Sequence, residues 1–361
     1  MSRCTGCRTA AHQSGVWEIQ GCPHGPDARL KRAGMTGNRT NIAPQQQAPQ
    51  MASTHIIINP VSAGGRTQKR LDEILDAVKV EFGFDWTLDF TRAPGDATSL
   101  TQRALGSGCK LIIAVGGDGT IQEVVNGFLS NDRLVNPKAE LAVVSSGTGQ
   151  GFAQSLGLTG SIAEQVAVAA RGDRKLVDVG RIVHGNGSGS VRYFVNECQV
   201  GIGGAVVKTV QHNHKLFGGT IAFGAATFQT VFRHRNQSMS LRLDGGGMVS
   251  GRYTGVVIAN GAFTGGGMNL APGAVMDDGQ LNIVIMNDLS IPQRLLNLPR
   301  IYNGSHVRSR HFESFVTKRL SIESDEEVLI AADGELLGTT PCEVEILQQV
   351  LPVRCSKHKG T

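Results

Sequence analysis

A glycine-rich segment with a single carboxylate occupies Gly116–Thr120, directly after the apolar run 111–115 and before a helical pattern at 121–129. A buried strand that ends in glycines and opens a helix is typical of phosphate binding. Because glycine has no side chain, its backbone can approach the anion closely, and the first N–H groups of the helix have no partner within the helix. Asp118 stands inside this segment, and a carboxylate beside phosphates usually serves a metal ion or a proton transfer. The segment therefore predicts nucleotide chemistry.

The surrounding pattern predicts the elements that position this segment. They are, in chain order, a strand at His55–Pro60, a helix at Gln68–Glu81, a strand at Trp86–Thr91, a helix at Asp96–Leu105, a strand at Leu111–Val115, a helix at Thr120–Leu129 and a strand at Leu141–Ser145. This alternation predicts a doubly wound parallel α/β domain. Ligands of such sheets lie beyond the carboxyl ends of the strands. Two further glycine-rich loops, Asn59–Gly65 and Ser146–Gly151, should converge there.

After residue 178 the sequence pattern changes from alternating strands and helices to successive strands separated by glycine-rich turns. The predicted strands are Val177–Val183, Val191–Val200, Met239–Leu243, Tyr253–Ala259, Leu281–Met286, Arg319–Ser324, Val328–Ala332 and Cys342–Ile346. This pattern predicts a C-terminal antiparallel β-sandwich domain. Helical patterns at Phe217–Phe232 and Ile291–Ile301 interrupt it. The apolar stripe of the first of these helices favours core packing, with a wall of a lipid channel as the alternative.

Composition and charge divide the chain further. We expect a disordered extension at 1–50, a nucleotide-binding domain at 51–178, a β-rich substrate domain at 179–350 and a basic tail at 351–361. Residues 1–50 carry six Lys or Arg and two acidic residues, so most of the net charge of +5 lies outside the predicted domains. The near-neutral remainder argues against nucleic-acid binding.

The sequence also bears on the compartment. Seven cysteines in no disulfide-like spacing favour a reducing compartment, and no apolar run is long enough to span a membrane. Without the apolar core of a signal peptide, we expect a cytoplasmic protein, with peripheral membrane association as a further option.

A second pair of carboxylates stands at Asp333-Gly334-Glu335, at the tip of a predicted hairpin. Together with the three glycine-rich loops, in this order, this tip resembles the diacylglycerol kinase catalytic-domain family, which includes sphingosine kinases, ceramide kinases and bacterial lipid kinases. The resemblance extends over roughly residues 55–345. It implies ATP bound on the α/β domain and a lipid bound on the β-rich domain.

The resemblance also implies roles for individual residues. Those that would hold the nucleotide or shape its loops are Asn59, Pro60, Ser62, Thr91, Gly117, Asp118, Gly119, Thr120, Glu123, Thr148 and Asp333. Glu335 is our favoured general base, with Asp118 as second choice. Asp178 corresponds to an aspartate between the domains, near the metal and the acceptor. Asp278 and Gln280 correspond to part of a structural magnesium site.

The chain departs from the family pattern at several positions. Ala63 stands where the family usually has glycine, Gln150-Gly151 replace Asn-Asp, and Gly204 replaces an aspartate. Val275 cannot supply a side-chain oxygen to the structural magnesium site. The departures at Gln150-Gly151 and Gly204 keep open the alternative of a nucleotide- or lipid-binding regulator without turnover.

Phosphoryl transfer to an alcohol needs aligned phosphates, a divalent cation and a carboxylate that takes the hydroxyl proton. We therefore expect an ATP- and Mg²⁺-dependent lipid kinase acting in lipid metabolism and phospholipid biosynthesis. Its acceptor would be a hydroxyl of diacylglycerol, a sphingoid base or a related lipid presented at a membrane surface. A homodimer is compatible with the sequence. A kinase of a soluble acceptor, similar to NAD kinases, remains the enzymatic alternative.

Overall fold

The N-terminal part of the fold is a parallel sheet with helices on both faces. The structure, a computed structural model, describes residues 53–146, 150–185, 189–213 and 219–356. Its elements up to residue 171 are β1 (Thr54–Ile58), α1 (Ser62–Lys69), α2 (Leu71–Phe82), β2 (Trp86–Phe90), α3 (Asp96–Gly106), β3 (Leu111–Gly116), α4 (Asp118–Phe128), β4 (Leu129–Ser130), β5 (Arg133–Leu134), β6 (Glu140–Ser145), α5 (Gly151–Ser155) and α6 (Ile162–Arg171). Strands β6, β3, β1 and β2 lie side by side in that order and run parallel.

Side chains of these strands alternate between two apolar cores, because successive residues of a strand point to opposite faces. Ile57 and Ile112 pack in the core that contains α3 and α4. Ile56 and Ile113 pack in the core that contains α2 and α6. The predicted doubly wound α/β domain is therefore confirmed.

The second half is antiparallel and β-rich, as the sequence predicted. Its elements are β7 (Asp173–His184), β8 (Ser190–Phe194), β9 (Glu197–Gly201), α7 (Ile202–Asn213), α8 (Gly219–Arg233), β10 (Gln237–Leu243), β11 (Val249–Ala259), β12 (Phe263–Thr264), β13 (Met268–Asn269), β14 (Leu281–Asn287), α9 (Ile291–Tyr302), a 3₁₀ turn (Ser305–Arg308), β15 (Phe312–Thr317), β16 (Arg319–Glu323), β17 (Leu329–Ala332), β18 (Glu335–Thr339) and β19 (Cys342–Cys355). Its main core lies between β7–β11, β14, β16, β17 and β19.

The last strand joins the two halves. β19 pairs antiparallel with β7 at 342–347 and, after a register shift, at 351–355, and Val353 pairs with Leu141 of β6 in the parallel sheet. Leu351, Val353 and Cys355 are buried in the core that also holds α3 and α4. The predicted basic tail from residue 351 is therefore wrong for 351–355. Their alternating apolar residues form a strand that closes the α/β domain.

Two further boundaries differ from the predicted ones. The strand predicted at Val191–Val200 is two strands, β8 and β9, because the chain turns at Val195–Asn196 to bring its backbone N–H groups to a buried carboxylate. The helix predicted at Thr120–Leu129 begins two residues earlier, at Asp118. Helices α6 and α7 and strands β15 and β18 were not predicted.

Candidate active site

The carboxyl ends of the parallel strands meet at one edge, where the predicted loops converge. The N–H of Asn59 donates to the carbonyl of Val115 at 2.9 Å, and that of Thr91 donates to Ile58 at 2.9 Å. Ser146 N–H donates to Gly116 at 3.1 Å. Each predicted loop therefore starts beside its neighbour.

The N-terminus of α4 is built for close approach of a ligand. The Asn59 side-chain amide donates to Thr120 Oγ1 at 2.9 Å and links the first loop to this helix. A Cβ at Gly116 would lie 2.6 Å from the same Oγ1, so only glycine fits there. A Cβ at Gly117 would meet no atom within 4 Å, so this stretch of backbone borders open space. Unpaired N–H groups of a helix N-terminus beside open space suit a phosphate.

The first loop opens α1 with an unusual backbone. Ala63, Gly64 and Gly65 have φ values of 56°, 67° and 83°. Ala63 thus holds a left-handed conformation that glycine adopts with less strain. Ser62, Thr67 and Ser146 form a chain of side-chain hydroxyls that connects this loop to the end of β6. Pro60 accepts the N–H of Gln68 at 3.2 Å. Thr148, predicted to bind nucleotide, lies outside the described residues.

Glu123 supports the loop before α3. Its carboxylate accepts the backbone N–H groups of Gly95 at 2.8 Å and Ala97 at 3.0 Å. Glu123 therefore ties α4 to the N-terminus of α3, and its supporting role at the nucleotide loop stays a prediction.

Asp118 is the first residue of α4 and points toward α5. Its two carboxylate oxygens accept the N–H groups of Gly151 at 3.2 Å and Phe152 at 3.3 Å. Burial raises the pKa of Asp118, and these two hydrogen bonds partly oppose the rise. The carboxylate thereby links the second and third glycine-rich loops.

The Asp333–Glu335 turn brings two carboxylates to opposite environments. Asp333 is buried and accepts three backbone N–H groups, from Val195, Asn196 and Glu197, at 2.8 to 3.0 Å. Burial outweighs these hydrogen bonds and raises the pKa of Asp333 to about 7. Asp333 also has a positive φ of 45°, so three anchors hold a strained turn in place.

Glu335 lies exposed at the other side of this turn, facing α4. A Cβ at Gly119 would lie 3.2 Å from its Oε1, so the glycine gives this carboxylate access to the helix N-terminus. Partial desolvation raises the pKa of Glu335, and the negative charge of Glu123 raises it further. A carboxylate with a raised pKa, beside a helix N-terminus that suits a phosphate, is suited to accept a proton.

A fourth carboxylate, Glu197, was missed by the sequence interpretation. It is buried and accepts hydrogen bonds from Gln199 at 2.7 Å and from the Thr264 hydroxyl. Burial raises the pKa of Glu197 to about 8, and the charges of Asp333 and Asp118 add to the rise. The signal for it was that Glu197 is the one charged residue in the mainly apolar stretch 193–200, since charged side chains are rarely buried unless they have a partner.

These carboxylates border a cavity of about 270 Å³ in the β-rich half. Asp118, Glu197, Asp333 and Glu335 form one part of its wall. The rest is mainly apolar, from α7, α8, α9 and the adjoining strands: Ile202, Val206, Val207, Val231, Met268, Leu270, Met286, Leu289, Leu298, Ile301 and Phe312. A ligand with an apolar tail and a polar end would match this lining.

Asp178 does not line this cavity, although the family resemblance implied a position near the metal and the acceptor. It is fully buried, and its carboxylate accepts the N–H groups of Gly279 at 2.7 Å and Gln349 at 2.6 Å. Desolvation raises its pKa, and Asp278 and Asp277 add to the rise. The structure thus places Asp178 as an anchor between β7, β19 and the 276–280 loop.

The predicted metal residues lie in that same loop. Asp278 accepts the backbone N–H of Gln280 at 3.0 Å, as in a turn. Within the described ranges, no three His, Cys, Asp or Glu side chains are grouped so that they could hold a metal ion. The structural magnesium site at Asp278 and Gln280 therefore stays a prediction without a complete set of carboxylate ligands.

The architecture defines a class of protein in which a parallel α/β domain carries glycine-rich loops and a β-sandwich domain faces them with an Asp-Gly-Glu turn. Residues 53–182 match the family model of the diacylglycerol kinase catalytic domain. Residues 197–355 match that of the YegS C-terminal NAD kinase beta sandwich-like domain. The chain therefore belongs to the diacylglycerol kinase catalytic-domain family, whose curated members include lipid kinases.

Individual relatives agree with this assignment. The diacylglycerol kinase of Staphylococcus carnosus is 27% identical over 84% of this chain and 94% of its own length. That of Bacillus subtilis is 26% identical over 86% of this chain and 98% of its own. The crystal structure of a diacylglycerol kinase from Bacillus anthracis has the same fold, with a TM-score of 0.62, 24% identity and coverage of 84% and 97%.

Proposed function

We propose that this protein is an ATP-dependent lipid kinase that transfers the γ-phosphate to a hydroxyl of diacylglycerol, a sphingoid base or a related lipid. The observation that carries the proposal is the mainly apolar cavity bordered by Asp118, Asp333 and Glu335. Gly119, at the N-terminus of α4, lines the same cavity. A phosphate donor and a hydrophobic acceptor would therefore meet at this one place.

The nucleotide would lie along the carboxyl edge of the parallel sheet. The bare backbone at Gly117 and the N–H groups at the start of α4 would face its phosphates. The Asn59 to Thr120 hydrogen bond and the Glu123 contacts hold the surrounding loops in place before the ligand arrives. Such preorganised donors stabilise developing charge without reorganisation. Pro60, Ser62 and Thr91 would shape the rest of this edge.

Glu335 would act as the general base. It takes the proton of the acceptor hydroxyl while that oxygen forms the new bond to the γ-phosphorus, and the bond to the β-phosphate oxygen breaks to release ADP. Asp333 fixes the turn that carries Glu335, through its three backbone hydrogen bonds. Asp118 fixes the α4 and α5 N-termini relative to each other.

Magnesium would accompany the triphosphate and offset its charge, as in other phosphoryl transfers. The described residues offer no preformed three-ligand group for it. We therefore assign no step to a metal ion held by protein side chains alone.

The lining of the cavity favours a lipid over a polar acceptor such as NAD. Large aliphatic side chains from three helices form much of its wall, and a polar acceptor that lay against this part would lose hydration without hydrogen-bond partners. Among the described helices, none is both long and apolar enough to cross a bilayer.

The test is transfer of labelled γ-phosphate from ATP with magnesium to a panel of lipids in mixed micelles. NAD and fructose 6-phosphate serve as soluble acceptors in parallel. Label in one lipid class supports the proposal and names the acceptor. Label only in a soluble acceptor contradicts it. ATP binding without label in any acceptor would favour a regulator without turnover.

A further inference from the structure

Strand β9 turns two polar side chains toward the cavity. Successive residues of a strand point to opposite faces of the sheet. Cys198 and Val200 pack in the main core of the β-rich half, whereas Glu197 and Gln199 line the cavity. The alternation of the strand therefore places the buried carboxyl group of Glu197 at the cavity wall.

Two side chains hold the carboxyl group of Glu197. Gln199 Nε2 donates to its Oε1 at 2.7 Å, and the hydroxyl of Thr264 donates to the same oxygen. A Cβ at Gly203 would overlap the Gln199 side chain, so this glycine leaves room for the first of these donors. Among the described residues, both hydrogen bonds of the side chain go to Oε1, so Oε2 is the oxygen available to a ligand in the cavity.

Backbone hydrogen bonds tie Glu197 to the turn that carries the proposed general base. The N–H of Glu197 donates to Asp333 Oδ1 at 2.9 Å, and the N–H of Asp333 donates to the carbonyl of Glu197 at 2.9 Å. Glu335 follows two residues later and lines the same cavity. A lipid whose reacting hydroxyl lies at Glu335 would therefore bring the polar groups beside that hydroxyl to the part of the wall that holds Glu197.

The charges around Glu197 decide which kind of group it can bind. The other ionisable residues described in the cavity wall are Asp118, Asp333, Glu335 and Arg294. The guanidinium of Arg294 donates to oxygen atoms between residues 231 and 236 and not to Glu197. Desolvation, with the negative charges of Asp333 and Asp118, raises the pKa of Glu197 to about 8, so its carboxyl group holds a proton at neutral pH. Because Oε1 accepts two hydrogen bonds, Oε2 carries this proton and donates it to a ligand oxygen.

We propose that Glu197 is a specificity-determining residue of the lipid site, and that its Oε2 hydrogen-bonds the acyl ester carbonyl next to the acceptor hydroxyl. This inference rests on the proposed function and narrows its acceptor to an acylglycerol. An ester carbonyl has lone pairs and no proton, so it accepts a hydrogen bond from a protonated carboxyl group. A sphingoid base has an ammonium group in that place, which has no lone pair and would need Glu197 in its ionised form.

The test is equilibrium dialysis of the full chain, without ATP, against labelled dihexanoylglycerol and its dialkyl ether analogue, which lacks the carbonyl groups. Both lipids are used below their aggregation concentrations. We expect the wild type to bind the ester about tenfold more tightly than the ether, since the ether leaves the Glu197 donor without a partner. Glu197→Leu should lose this preference by weakening the ester alone. Glu197→Gln should recover it, because its Nε2 donates in place of Oε2 while Oε1 still accepts from Gln199 and Thr264.

A second variant and a matched control accompany this series. Thr264→Val removes the hydroxyl that holds Oε1 and keeps the shape of the side chain, so it should reduce the preference for the ester about threefold. It tests the proposal even if Glu197→Leu does not fold, which thermal unfolding of each variant shows. Glu323→Leu replaces an exposed glutamate of β16 and should leave the affinities for both lipids unchanged.

Three results would overturn the proposal. The first is equal binding of ester and ether by the wild type. The second is an equal loss of both lipids in Glu197→Leu, which would show a structural role. The third is tighter binding of a short-chain sphingoid base that Glu197→Gln abolishes, which would assign an ammonium group to Glu197.

Transfer of labelled γ-phosphate to the same lipids is measured separately, so that the two proposals can fail independently. If the wild type binds the ester through Glu197 and transfers label to no lipid, the lipid kinase is wrong and the recognition of the ester stands. If label enters a lipid and Glu197→Leu keeps the full preference for the ester, the kinase stands and the role of Glu197 is wrong.

Discussion

Asp333 and Asp178 are two buried aspartates that the structure uses in different ways. Each has both carboxylate oxygens occupied by backbone N–H groups, three groups for Asp333 and two for Asp178. Burial raises the pKa of both. Only Asp333 borders the cavity. Burial and backbone anchoring therefore do not distinguish the two aspartates, and access to open space is the property that makes Asp333 the candidate for a functional site.

The Asp333 turn adds a second difference. Two residues after the anchored Asp333, Glu335 stands at the cavity rim with its Oε1 close to the backbone of Gly119. The 276–280 loop that Asp178 holds also carries Asp277 and Asp278, but neither lines the cavity, and Asp277 forms an ion pair with Lys175 at 3.0 Å. Anchoring near Asp333 therefore positions a reactive group, whereas anchoring at Asp178 holds strands together.

The largest expected effect comes from Glu335→Gln. The amide keeps the size of the side chain and removes the proton acceptor, so kcat of phosphate transfer should fall about 10²- to 10⁴-fold. ATP binding, measured by calorimetry, should stay within about threefold, because the phosphates contact α4 backbone in our proposal. Transfer by the variant within tenfold of wild type would contradict the assignment of the base.

The role of Glu335 as general base also predicts how kcat/KM depends on pH. A general base must be deprotonated, so kcat/KM should rise with pH through the pKa of Glu335. Because desolvation raises that pKa, the acidic limb should lie above the ordinary glutamate value of about 4.3. A limb that persists unchanged in the residual activity of Glu335→Gln would belong to another group.

Asp178→Asn should give the opposite result from Glu335→Gln. The amide can accept only one of the two buried N–H groups, so the free energy of unfolding should fall by about 1–3 kcal/mol. kcat at a temperature where the variant is folded should change less than about threefold. Asp278→Asn, in the same loop and exposed, is the matched control and should lose less stability. A hundredfold loss of kcat in folded Asp178→Asn would instead return Asp178 to the catalytic site.

These comparisons also show what the sequence could reveal. Local patterns were sufficient to predict the parallel sheet, because the strands at 55–60, 111–115 and 141–145 are mainly apolar runs and the strand at 86–91 alternates apolar with polar residues. They were also sufficient to predict that Asn59, Gly117 and Thr120 lie close together, since the carboxyl ends of parallel strands lie at one edge of the sheet. The end of the chain was misinterpreted, because the burial of Leu351 and Val353 depends on pairing with distant strands.

Burial from distant contacts explains the other differences as well. Glu197 joins the site only because β12 brings Thr264 and the 333–335 turn brings Asp333 to it. Asp178 leaves the site because the backbone of Gly279 and Gln349 surrounds it. Glu197 stands out in the sequence as a charged residue in a mainly apolar stretch, but the contacts that surround Glu197 and Asp178 come from distant segments and cannot be read from local sequence. The family resemblance assigned Asp178 a place near the metal and the acceptor from the residues next to it in sequence. Its actual surroundings depend on the packing of distant segments.

The last prediction concerns Glu197 and the pH dependence of stability. Its pKa is about 8 in the folded protein and near 4.5 in the unfolded chain. The folded state thus holds this proton more tightly, so the stability that the proton provides is complete below about pH 4.5 and is lost as pH rises toward 8. Glu197→Gln keeps the Oε1 acceptor for Gln199 and Thr264 but removes this titration.

We therefore expect the free energy of unfolding of Glu197→Gln, relative to wild type, to increase between pH 5 and pH 8. The gain should exceed ~1.4 kcal/mol, the equivalent of one pKa unit. Urea unfolding at several pH values measures it, with Glu323→Gln at an exposed position as the control. A difference between variant and wild type that is constant with pH would show that Glu197 is ionised throughout. In that case Glu197 would hold no proton in the folded protein. The carboxylates around the cavity would then differ from Asp178 only in their access to open space.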